Sequence, residues 1–214
     1  MIKSLIRTLI LPILFCMSGL SHAALIVFTS QASFNAATAA QGVDTFAGFD
    51  TTATTPTPIN RSAGVYGYTA MSPGGFFGAG TAADPALSTN FANDSITFNN
   101  FTNGAQAIGG NFYDSNLAGE FALGSITVTA FDQSGTATQT IIDATVSSFL
   151  GFVSTDSLVS LTVTTTDPGL FATVDNLTIA LRAGTPTGVP EPGSIGLSLA
   201  GLGIMGLLAR RRRA

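Results

Sequence analysis

Cysteine, histidine and lysine each occur once in the 214 residues, as Cys16, His22 and Lys3, and tryptophan is absent. All three lie in the first 23 residues, so a chain that sheds that segment keeps none of them. This excludes zinc sites built on Cys or His, Cys-His and Ser-His-Asp nucleophiles, Ser-Lys dyads and Schiff-base lysines. No disulfide can form in the remainder, although export would permit one. Charge is also scarce, at 9% of residues. Between residues 24 and 185, Arg61 and Arg182 stand against eleven acids, a balance of about −9 that repels phosphate backbones, excludes nucleic acid as a partner and suits divalent cations.

What is present begins with a targeting segment. Lys3 and Arg7 precede an almost wholly apolar run from Leu9 to Leu20, and Ser21-His22-Ala23 sets small residues where a signal peptidase reads. The pattern predicts a signal peptide over 1–23, cut between Ala23 and Ala24, with signal peptidase as a partner. Cys16 is not read as a lipid attachment site, because bulky Phe15 precedes it.

The last residues have three parts: Val189-Pro190-Glu191-Pro192, an uncharged glycine-rich run over 193–209, and four arginines, Arg210, Arg211, Arg212 and Arg213, in the tail 210–214. The run covers ~25 Å as a helix, at the lower limit for a hydrocarbon core of ~30 Å, so a transmembrane helix is expected there. Clustered arginines stay cytoplasmic, which places everything before Val189 outside. Pro190 and Pro192 hold Glu191 in an extended backbone that cannot join the helix, leaving a stiff peptide at the outer membrane face.

This arrangement resembles the PEP-CTERM sorting signal of Gram-negative bacteria, with Val189, Pro190, Glu191 and Pro192 as its motif, then the short span, then Arg210 to Arg213. The resemblance implies handling by an exosortase, an integral-membrane cysteine transpeptidase-like enzyme, in bacteria that make exopolysaccharide. It implies passage through the inner membrane and then a cell-surface or matrix location, as in a biofilm. A plain tail anchor is the alternative.

Residues 24–185 form the expected ectodomain, joined to the span by a linker at 186–192. The length suffices for one domain with a substantial core, and fifteen of the chain's sixteen phenylalanines lie here, which argues against disorder. Ser30 is expected to cap a short helix running through Ala40, with Phe34 and Ala37 on one face. Thr51 to Pro58 reads as a surface loop, and a glycine-rich loop is expected around Phe76 and Phe77. Period-two runs predict strands at Gly64 to Met71, Ser95 to Phe101, Ser125 to Phe131, Thr136 to Ile142 and Leu158 to Thr166, with a last strand through Val174 and Leu181. Asp132-Gln-Ser-Gly135 should turn the hairpin between the third and fourth. The expectation is therefore an all-β, antiparallel β-sandwich of one domain. Stretches such as Val174-Asp-Asn-Leu-Thr-Ile are similar to jelly-roll modules, including carbohydrate-binding ones, where a final strand opening on Asp-Asn often lies near a structural calcium.

Calcium is thus the one cofactor considered, with Asp175 and Asn176 as first candidates and Asp114 as second, because hard cations take oxygen ligands. The same residues equally serve turns. Glu120 is the one glutamate of the ectodomain, and glycoside hydrolysis needs two carboxyls at a set separation, so no catalytic residue is assigned and an enzyme is not expected. Thr127 and Thr129 share one strand face, as do Thr162, Thr164 and Thr166. They could present hydroxyls to polysaccharide, or remotely to ice, or simply fill a solvated strand. The expected role is a structural or exopolysaccharide-associated surface protein, with a carbohydrate- or calcium-binding module as the alternative.

Overall fold

A computed structural model describes residues 25–184. The signal peptide at 1–23, the cleavage residue Ala24, the Pro-Glu-Pro residues, the span at 193–209 and the terminal arginines lie outside the described residues. Among the described residues no helix is long and apolar enough to cross a membrane.

In chain order the elements are β1 (Ile26–Phe28), α1 (Gln31–Ala36), β2 (Thr38–Asp44), β3 (Ile59–Ala63), β4 (Tyr66–Met71), β5 (Phe76–Thr81), β6 (Asp84–Thr89) and β7 (Ser95–Asn99). They continue with β8 (Ala107–Ser115), β9 (Phe121–Ala122), β10 (Gly124–Asp132), β11 (Thr136–Ala144), β12 (Phe149–Val153), β13 (Leu158–Thr165) and β14 (Phe171–Arg182). Sheet A runs in the order β1, β12, β8, β14, β6, β5, with β2 also on β14 and β9 also on β8. Sheet B runs β11, β10, β13, β7, β4, β3. Every pairing between these strands is antiparallel, as the alternation predicts.

Ile126, Val128, Leu161, Val163, Ile96 and Phe98 of sheet B, which the period-two pattern selects, pack against Ile108, Phe112, Leu150, Phe152, Val174 and Ile179 of sheet A, all fully buried. Each such side chain contributes roughly 1.5–3 kcal/mol by leaving water. Asp132 turns the β10–β11 hairpin as expected, its Oδ1 accepting from the Ser134 and Gly135 amides at 2.8 Å.

One margin of the sandwich is closed by direct backbone contact. A Cβ on Gly42 of β2 would overlap the Ala63 carbonyl, and the Tyr66 hydroxyl donates to the Ala40 carbonyl at 2.8 Å. At the same margin Asp44 receives Arg61 through Nε and Nη2 and the Tyr68 hydroxyl, each at 2.7 Å, together with the Phe46 amide at 2.8 Å. The guanidinium lies 5.2 Å from the Phe46 ring centre and 5.9 Å from that of Phe49. Strand β2 of sheet A is thereby tied to β3 and β4 of sheet B.

Two local expectations are corrected. The helix stops at Ala36 rather than Ala40, and Ser30 makes no side-chain cap. Thr38 bonds back to the Phe34 carbonyl at 2.8 Å, and the chain then leaves as β2 because β14 offers it a ladder. Phe34 and Ala37 do share the packed face, with Phe34 seated over Gly151, where no Cβ intervenes. The glycine-rich stretch at Phe76 and Phe77 is strand β5, not loop, paired along its length with β6. Its glycines serve close approach, since a Cβ on Gly78 would strike the Asp50 carbonyl.

Candidate functional site

Strand β14 pairs with β8 on one side, while on the other β6 gives way to β2. At the hand-over sit Asp175 and Asn176. Asn176 has φ 51°, and the register with β8 shifts between Asp175 and Thr178, so the pair forms a bulge. Asn is well suited to this left-handed backbone. Both Asp175 oxygens are engaged by Asn176: Oδ1 accepts its amide at 2.7 Å and Oδ2 its Nδ2 at 2.8 Å. Burial raises the Asp175 carboxyl above its ordinary range, and the charge of Asp84 adds to it.

Asp114 is not brought to this pair. Asp175 lines a cleft on the outer face of sheet A, whereas Asp114, two positions from core residue Phe112 on β8, points between the sheets. Asp114 is 0% exposed and both its oxygens lack partners, with the carboxyl lying against Gly124, where a Cβ would collide with it. Among the described residues no group of three His, Cys, Asp or Glu could hold a metal. Of the two carboxylates among the calcium candidates, Asp175 is engaged by Asn176 and Asp114 accepts no hydrogen bond.

Burial pushes Asp114 up to about 6, with the charge of Asp167 adding to it against a Thr165 hydroxyl that lowers it. The folded chain therefore binds the proton more tightly than the unfolded one. Stability falls as pH rises from about 4 through about 6, and the penalty above that window approaches ~3 kcal/mol. In chelator, Asp114→Asn should raise the melting midpoint at pH 7.5 and leave it little changed at pH 4. A midpoint that drops equally at both pH values would refute this.

The threonine rows prove longer than the sequence implied. Thr140, Thr127, Thr164 and Ser95 are successive cross-strand neighbours over β11, β10, β13 and β7, as are Thr138, Thr129, Thr162 and Thr97. Thr127 meets Thr140 at 2.8 Å, Thr129 meets Thr138 at 3.0 Å and Thr97 meets Thr162 at 3.3 Å. Neither row contains a charge. Thr166 lies just past the end of β13 and bonds to the Ser125 carbonyl at 3.0 Å, apart from these rows. Glu120 lies in an exposed loop, accepting from Asn116 at 3.1 Å.

The cleft beside Asp175 holds about 250 Å³ and is also lined by Asp84, Tyr113, Phe121 and Val146. Its neighbour, a cavity of about 150 Å³, is lined by Ser88 and Ser115. Those hydroxyls close a ring with Thr173 at 2.9–3.1 Å and satisfy one another. The sequence reading missed Asp84 and Tyr113, because their strands meet only through β14. The one available signal was the Asp84-Pro85 pair that opens β6 just past the turn at Ala82 and Ala83.

Residues 188–213 match the PEP-CTERM protein-sorting motif. No curated protein matches the chain. The match covers Val189, Pro190, Glu191, Pro192 and Arg210 to Arg213, the residues singled out in the sequence. The protein is therefore an exported one that carries a PEP-CTERM sorting motif, the signal by which exosortase directs proteins from the membrane to the cell surface.

Proposed function

We propose that this is a non-catalytic surface or matrix protein, held transiently by a transmembrane helix at 193–209 and then associated with exopolysaccharide of a Gram-negative cell. The sorting motif carries the reading. The strand order supports a jelly-roll assignment: β6, β14, β8 and β12 face β7, β13, β10 and β11, and from β6 onward the chain crosses between the sheets at every step except β8 to β9 and β10 to β11. The uncharged threonine face of sheet B supports the exopolysaccharide role, since aligned hydroxyls can meet sugar hydroxyls without desolvating a charge.

The test is the mass and cell fraction of the mature protein with and without the sorting enzyme. The mature form should begin at Ala24, reach the surface with the enzyme and stay in the membrane without it. Surface delivery at the same rate in both strains would sink the proposal. Retention on isolated exopolysaccharide should fall at least tenfold when Thr129 and Thr162 are both changed to Glu, because two neighbouring carboxylates would then have to be desolvated against the sugar hydroxyls.

A bound calcium would stabilise the fold rather than catalyse, and no residue is assigned to hold it, since Asp114 is fully buried and among the described residues no group of three His, Cys, Asp or Glu could bind the ion. A ligand of the native state alone adds about 2.7 kcal/mol at a hundredfold excess over Kd. Melting in calcium and in chelator checks this, and identical midpoints would remove calcium as a ligand.

A further inference from the structure

The outer face of sheet A is partly covered by α1, which packs on Gly151 and Phe149. Further along the same face opens the cleft between Asp84 and Asp175, also walled by Ala86, Tyr113, Phe121 and Val146. Tyr113 distinguishes it. The chain has three tyrosines, and two have partners: Tyr66 donates to the Ala40 carbonyl at 2.8 Å and Tyr68 to the Asp44 carboxylate at 2.7 Å. Tyr113 is only 7% exposed, yet no hydrogen bond from the described residues acts on its hydroxyl, which feels the charges of Asp175 and Asp84. The ring is buried while the hydroxyl itself reaches the solvent of the cleft. It is available to a ligand there.

The charges point to the ligand's sign. Two carboxylates border the cleft, and no basic residue lines it. Arg61 is committed to Asp44, and Arg182 ends β14 beside Thr38. Tyr113 and Phe121 set their rings 6.2 Å apart at 54°, giving aromatic surface next to the acids. Acids and aromatic faces together suit an organic cation. Calcium fits less well, because it takes six to eight oxygens and the walls here include Phe121, Val146 and Ala86.

We propose that the cleft binds a primary ammonium group carried on a sugar ring, as in an amino-sugar unit. The ammonium sits between Asp84 and Asp175, the ring rests on Phe121, and the Tyr113 hydroxyl bonds a ring oxygen. Asp175 remains able to accept, since each carboxylate oxygen has a lone pair beyond the one that Asn176 uses. The choice of a sugar over a free polyamine rests on the exopolysaccharide reading; the ammonium chemistry does not.

Calorimetric titration of the full chain in detergent with a glucosamine tetramer, its fully N-acetylated counterpart, spermidine and calcium chloride tests the proposal. The glucosamine tetramer should bind, and N-acetylation should weaken it at least tenfold. Asp84→Asn should do the same, and it is a mild change because Asp84 is exposed. Tyr113→Phe should weaken the tetramer several-fold and spermidine little, a difference that a general loss of folding would not produce. Equal binding of the acetylated tetramer, or calcium heat that Asp84→Asn abolishes, would overturn the site, as would affinities unchanged in both variants. Spermidine binding more tightly than the tetramer would overturn the sugar. Exopolysaccharide retention by the Thr129 and Thr162 variant reports on the wider role separately.

Discussion

A Glu191→Ala variant should be exported and inserted normally but accumulate at full length in the membrane, with little or no mature protein at the surface. The sorting motif covers Glu191, which by the proposed function lies just outside the bilayer, between two prolines that favour extended backbone. On the proposed transmembrane reading, retention during processing would come from seven Leu and Ile side chains at 193–209, each worth about −0.3 to −0.6 kcal/mol on insertion. The arginines would add roughly 1 kcal/mol each where lipids are anionic. Gly196, Gly201, Gly203 and Gly206 would weaken a helix there by up to ~1 kcal/mol apiece, which suits a temporary anchor. Immunoblots of membrane and surface fractions provide the measurement. Maturation of the variant at the normal rate would make residues 193–214 a plain anchor.

Arg61→Ala should lower unfolding free energy by about 3 kcal/mol, because it strands a nearly buried carboxylate. Asp44 is 6% exposed and Arg61 23%, which places the loss toward the lower end of the range for buried pairs. The same change removes the guanidinium from Phe46 and Phe49 and releases the margin where β2 meets β3 and β4. Burial alone would raise the Asp44 carboxyl, but the Arg61 and Tyr68 side chains and the Phe46 amide hold it below its ordinary value. The folded state therefore binds this proton less tightly than the unfolded one. Its contribution is present above about pH 4 and disappears as pH falls through the lowered value. Urea melts at pH 7 and pH 3 should show the Arg61→Ala deficit at the first and much less of it at the second. A variant as stable as the parent at pH 7 would mean that the clasp contributes nothing. Adding Asp44→Asn to Arg61→Ala should recover part of the loss.

Some of this was legible along the chain. Ile126, Val128 and Ala130 alternate with threonines, so β10 could be assigned with its buried face, and Asp132 marked its turn. The sorting tail was readable because its chemistry is local: a stiff Pro-Glu-Pro element, an apolar span and a basic end act through their order in the chain. Strand β5 was not legible, because Phe76 to Thr81 carries three residues without bulk and becomes strand only by lying against β6 and the Asp50 carbonyl. The short helix was overextended for a related reason, as Thr38 to Ala40 has no strong local preference and β14 decides it.

The candidate sites divide along the same line. Asp175 and Asn176 were found by their own sequence, and their bulge is local. Their distance from Asp114 was decided by the pleat, which turns one toward solvent and the other into the core. Arg61 meets Asp44, and Tyr113 meets Asp84, across strands far apart in the chain. By itself the sequence determined the sorting motif and the alternation of faces, because residue type and period act over a few positions. Which acids became paired, orphaned or gathered around an open tyrosine was decided only by the tertiary structure, since strand order and register place side chains that no local pattern relates.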